Sequence, residues 1–183
     1  MGDLAPTAER ARTKELVTEV RSQYERARAA AIEAFRQRPA PERLLSALSR
    51  AADAAVLRLW GEAGAPAGSA LVAVGGYGRA ELYPHSDIDL LILLDRQPDD
   101  EAAAALSAFV GACWDVGLGI GHSVRTIDEC LAESAADLTV RTALLERRLL
   151  AGDEGTYGRL DARLAEAMDP GDFLQAKRLE MVQ

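Results

Sequence analysis

Three features of the sequence predict an α+β fold, a small sheet with flanking helices. Apolar residues recur at spacings of three and four over residues 8–37 and 42–62, the period of one helix face. Two short apolar runs, 69–75 and 87–95, bracket a glycine-rich turn, as paired strands do. Further helix-like stretches then surround one more strand-like run at 118–125.

In chain order, the first helix carries Leu16, Val20, Tyr24, Ala27, Ala31 and Phe35 as its stripe, and Pro39 and Pro41 end it. The second, 42–62, carries Leu44, Leu45, Leu48, Ala52, Val56 and Leu59. Gly61, Gly64, Pro66 and Gly68 mark the loop after it, so the two helices read as an antiparallel hairpin. The run Leu90-Leu91-Ile92-Leu93-Leu94 is apolar without alternation, which suits a strand buried on both faces. Asp99 to Val116 is expected to be helical and to stop at Gly117. Thr126-Ile127-Asp128-Glu129 has the form of a capping box opening the next helix. Residues 137–150 and 153–167 read as two helices joined at Gly152, and a last helix begins near Pro170. Three regions follow: an N-terminal helical segment (1–66), a core (67–135) and a C-terminal helical segment (136–183) that is expected to be truncated, because the chain ends inside its last helix.

Composition narrows the function. The net charge of −8 is uneven: residues 1–66 sum to +2 and residues 67–183 to −10. An acidic core disfavours sequence-independent nucleic-acid binding, which needs clustered Lys and Arg, and suits a site that recruits divalent cations. No nucleic-acid partner is expected. Cys113 and Cys130 form no C-x-x-C pair, and with only two histidines in the chain a zinc site is not expected; both cysteines read as reduced core residues. No apolar run approaches the ~18 residues of a membrane span, and the N-terminus lacks signal-peptide character. A cytoplasmic location and no membrane partner are therefore expected.

The chemistry is concentrated in Gly75-Gly76-Tyr77-Gly78-Arg79-Ala80-Glu81-Leu82-Tyr83-Pro84-His85-Ser86-Asp87-Ile88-Asp89. Side chains alternate along a strand, so Asp87 and Asp89 share one face while Ile88 and Leu90 point into the core. Carboxylates ~6–7 Å apart along a strand can reach one cation, and magnesium takes one or two carboxylates together with substrate phosphates and waters. Gly75, Gly76 and Gly78 let the backbone approach a phosphate, with successive N–H groups forming an anion-binding concavity. Ser86 offers a hydroxyl donor, and Arg79 a cation for phosphate or for Glu81. The spacing matches neither a P-loop nor a dinucleotide fingerprint.

Gly75-Gly76 followed by Ser86-Asp87-Ile88-Asp89 resembles the signature of the polymerase-beta-like nucleotidyltransferase superfamily. The longer string from Gly75 to Leu91 is similar to the N-terminal domain of the bifunctional uridylyltransferase/uridylyl-removing family that modifies the PII nitrogen-signalling protein. Trp114-Asp115-Val116-Gly117-Leu118, Gly121-His122-Ser123-Val124-Arg125-Thr126 and Leu149-Leu150-Ala151-Gly152-Asp153 extend the likeness over roughly residues 40–180. The resemblance implies a magnesium-dependent transfer of UMP from UTP to a tyrosine hydroxyl of PII, with pyrophosphate released. It places Gly75 and Gly76 at the triphosphate, and Asp87 and Asp89 at the metal as catalytic residues. The family's UMP-removing and glutamine-sensing domains are expected to be absent from this chain.

One departure stands out. The superfamily carries a third carboxylate on a later strand, and the corresponding run here, Leu118 to Arg125, has none. His122 is a candidate catalytic base or simply a packed strand residue, Arg125 a ligand for phosphate or a counter-charge to the aspartates, and Glu81 the nearest other acid. Alternative readings are a related nucleotidyltransferase with a different acceptor or nucleotide, or a non-catalytic nucleotide-binding regulatory fragment.

Overall fold

The structure, a computed structural model, describes residues 5–167. It is an α+β fold with a four-stranded mixed sheet. The chain divides into two compact units. One comprises the described residues up to Pro66 with Ala80–Ile88 and Asp99–Gly121; the other comprises Ala67–Arg79, Asp89–Pro98 and the described residues from His122 onward.

The first unit is helical. Helix α1 (Ala5–Gln37) and helix α2 (Pro41–Glu62) form the expected hairpin, closed at its open end by Arg12 donating to Glu62 at 3.0 Å. Among the described side chains of α1, Val17, Val20 and Ala31 are buried, whereas Ala27 is exposed and the half-buried Arg28 stands in the stripe instead. The small alanine is dispensable to packing, and the long arginine stem covers more surface. Trp60 of α2 meets Phe109 of helix α4 (Asp100–Val116) edge to face, with ring centroids 5.1 Å apart. Helix α4 starts where Asp99 accepts from the Ala102 N–H and ends at Gly117 in a left-handed conformation, φ 89°, as expected. Arg21 of α1 ties down that end by donating to the Val116 and Asp115 carbonyls.

The second unit carries most of the sheet, ordered β3-β2-β1-β4. Strand β1 is Ser69–Ala73, β2 is Ile88–Leu94, β3 is Ile120–Thr126 and β4 is Arg148–Gly152. Strand β1 pairs antiparallel with both β2 and β4. The Ile88 N–H donates to the Gly119 carbonyl at 2.8 Å and joins the starts of β2 and β3, which run parallel. One core packs Ala70, Val72, Leu91 and Leu93 of the sheet against helices α5 (Ile127–Ala136), α6 (Leu138–Leu145) and α7 (Glu154–Ala167), through Cys130, Leu144, Leu160 and Leu164. The capping box at α5 is formed in both directions between Thr126 and Glu129.

Strand β4 corrects the sequence reading, which has one helix across 137–150. Helix α6 stops at Leu145, and Arg148-Leu149-Leu150-Ala151-Gly152 pairs with β1 instead. The run is too short and too apolar for periodicity to separate strand from helix, and the unpaired edge of β1 decides it. The expected helix near Pro170 lies outside the described residues.

Burial raises the Cys113 thiol to about 12 and the Cys130 thiol to about 11. Neither is in a disulfide. At pH 8 the folded protein should therefore resist iodoacetamide while the denatured chain takes up two labels, counted by mass. The Glu129 carboxylate is held below its ordinary range, first by the Thr126 N–H, which it accepts at 2.7 Å, and then by Gln97 and the Thr126 hydroxyl. Its contribution is present above the ordinary carboxylate pKa and is lost as pH falls through the depressed value. Glu129→Gln should lower Tm by a few degrees at pH 7 and leave it unchanged near pH 2, by thermal melts at both.

Candidate active site

In the second unit, β1 runs straight into a single helical turn, α3 (Gly75–Gly78), at the glycine-rich turn of the sequence reading. Gly75 has φ +59°, a left-handed conformation that costs a side-chain-bearing residue ~1 kcal/mol or more. A Cβ placed on it would lie 3.8 Å from Asp89 Oδ2, so the turn and this carboxylate are neighbours. The Val74 N–H donates to the Asp89 carbonyl at 3.1 Å and fixes the two segments side by side. Along β2, exposed Asp89 sits between Ile88 and Leu90, which are 1% and 2% exposed. Asp87, just ahead of the strand, is exposed too, as is Ser86 before it.

In the first unit, Asp87 lies beside Gly119, with 3.5 Å between Oδ1 and the position a Cβ would take there. Asp87 and Ser86 line a cavity of about 240 Å³ together with Tyr24, Arg28, Tyr83 and His85. The Ser86 hydroxyl is engaged inside its own turn: it accepts from the Tyr83 N–H at 3.1 Å and donates to the Tyr83 carbonyl at 3.2 Å. Arg28 donates to the Pro84 carbonyl and pins the same turn.

Gly78 has a packing role that the sequence did not show. A Cβ there would fall 1.6 Å from the Glu146 carbonyl oxygen, so only glycine fits. Arg79 pairs with the Glu146 carboxylate. Arg148, which sequence reasoning missed, donates to the Tyr77 and Gly78 carbonyls. The signal available was two arginines, Arg147-Arg148, directly before an apolar run of strand length. On β3, His122 is exposed rather than packed, and half-buried Arg125 lies 3.9 Å from Glu133.

Comparison with known proteins places this geometry. A family model described as "Putative nucleotidyltransferase DUF294" matches residues 25–116. The chain belongs to this nucleotidyltransferase family. It is 54% identical over 140 residues to a bifunctional uridylyltransferase/uridylyl-removing enzyme of Cupriavidus metallidurans, covering 76% of this chain and 16% of that protein. The same-named enzyme of Ralstonia nicotianae is 51% identical over 149 residues, covering 81% of this chain and 17% of that protein. That of Bordetella parapertussis is 51% identical over 164 residues, covering 90% and 19%. The chain thus spans less than a fifth of the length of these relatives. No helix among the described residues is long and apolar enough to cross a membrane.

Gly78→Ala must displace the Glu146 backbone. It should cost about 1–3 kcal/mol, or prevent folding, by chemical denaturation. Gly111→Ala, where a Cβ would meet nothing within 4 Å, is the comparison that should be tolerated better.

Proposed function

We propose that this chain is the nucleotide-transferring part of a uridylyltransferase, moving UMP from UTP to a tyrosine hydroxyl of a PII-type signal protein and releasing pyrophosphate. The observation that carries this is the pair Asp87 and Asp89, exposed at the start of an otherwise buried strand, with Gly75 against Asp89. The names of the relatives support the uridylyl group, and the acceptor follows from the resemblance of the Gly75–Leu91 string to the PII-modifying family.

The donors fit magnesium. Among the described residues no group of three or more His, Cys, Asp or Glu is placed to hold a metal. Two hard carboxylates at a solvent-facing strand start, completed by triphosphate oxygens and water, is the ligand set magnesium prefers. A bound magnesium ion would neutralise triphosphate charge and favour departure of pyrophosphate. The chain's own residues bind and orient. Backbone N–H groups at Gly75 and Gly76 face the phosphates, with Gly78 and Arg79 holding that turn. Ser86 sets the Tyr83–Ser86 turn that leads into Asp87. Arg125 contributes positive charge from β3. His122, exposed on β3, takes the acceptor hydroxyl's proton. Residues 67–135 hold the nucleotide-binding parts of this scheme.

A second reading, nucleotide binding without turnover, is favoured by the lack of any acid on β3. Labelled UTP, magnesium and PII separate the two. Transfer should fall at least about 100-fold in Asp87→Asn/Asp89→Asn. Undiminished transfer in that variant would sink the assigned site. Tight Mg·UTP binding by the unmodified chain with no transfer over hours would favour the second reading, and transfer of another nucleotide or to another protein would redirect the specificity.

A further inference from the structure

A helical turn of four residues does not stand by itself. Nucleating one turn fixes several dihedrals for one hydrogen bond, so an isolated turn is unstable. In and beside α3 the Gly78 N–H donates to the Val74 carbonyl (3.0 Å), and the Arg79 N–H to the Gly75 (3.1 Å) and Tyr77 carbonyls. The carbonyls at its C-terminal end need further partners from elsewhere.

Strand β4 provides them. Arg148 donates from Nε to the Gly78 carbonyl and from Nη2 to the Tyr77 carbonyl, both at 3.3 Å. Its guanidinium lies 5.5 Å from the Tyr77 ring centroid, within cation–π range. Tyr77 is 1% exposed and anchors the turn from below. The planar fork therefore holds both carbonyls and the ring at once, which a lysine cannot do. The pairing of β1 with β4 sets this geometry. Leu71 faces Ala151 but Val72 faces Leu149, so Leu150 is an extra residue in the ladder. That bulge puts Arg148, rather than Leu149, opposite Ala73 at the end of β1, two residues before the turn.

We propose that Arg148 is a positioning residue, clamping the Gly75–Gly78 turn in the conformation that receives the triphosphate. The proposal rests on the uridylyltransferase reading for its ligand, but the clamp itself does not. Without the clamp, nucleotide must pay to order the turn, and affinity falls while the acceptor's does not.

Arg148→Met and Arg148→Lys test it in the full chain. Amide hydrogen exchange over residues 74–80 should accelerate in Arg148→Met, with Arg148→Lys intermediate. The KM for UTP should rise about 10-fold in the methionine variant, as lost pre-organisation predicts, with the KM for the acceptor protein unchanged. Assays run well below each variant's Tm, so a fall in Tm alone with unaltered UTP KM would mark a merely structural residue and overturn the proposal. Unchanged exchange over 74–80 would overturn the clamp whether or not UTP is the substrate. If the unmodified chain neither binds nor turns over Mg·UTP, the uridylyltransferase reading falls and takes the positioning role with it, while exchange still decides the clamp.

Discussion

Burial of the two central strands on both faces governs where this protein can hold charge. From Ala70 to Ala73 and from Leu90 to Leu94, every residue is at most 4% exposed. An unpaired carboxylate within either run would carry the full cost of desolvation. Only the ends of the strands are open to polar groups, and antiparallel pairing puts the end of β1 beside the start of β2, Ala73 opposite Leu90. The glycine turn and Asp89 meet at that edge because the pairing brings them there, not because they attract each other.

The same logic explains what could be read from the sequence. Elements whose signal is local were legible: the α1–α2 hairpin, the Asp99 start and Gly117 stop of α4, the Thr126–Glu129 box, and β2 from its unbroken apolar run. Ala27 was misplaced because a helix stripe has a fuzzy edge, and a small residue contributes little to either outcome. Strand β4 was illegible for a different reason. Nothing in Arg148-Leu149-Leu150-Ala151-Gly152 distinguishes a strand from the end of a helix, and the deciding partner, β1, lies far away in sequence.

The candidate site divides along that line too. Asp89 was readable because alternation along a strand is a short-range rule, whereas Asp87 lies one residue ahead of β2. The reason for Gly78 was not, since the Glu146 carbonyl that excludes a side chain is a long-range neighbour. Arg79 reaches Glu146, 67 residues on, a partner that no local rule supplies. Ser86, expected to look outward as a donor, satisfies its own turn, as serine commonly does.

The separation between Arg148 and the turn it holds, 70 residues from Gly78, bears on the order of assembly. A chain emerging from the ribosome presents the glycines and both aspartates early, and α4 and β3 after them. The turn gains its outer support only once β4 has been made and has closed a long loop onto β1, an entropically late event. Nascent chains stopped before Arg148 would hold the acidic pair and the glycines without the contacts that set their shape. Maturation of the site during synthesis is timed by the last strand of the sheet, which bears none of the signature.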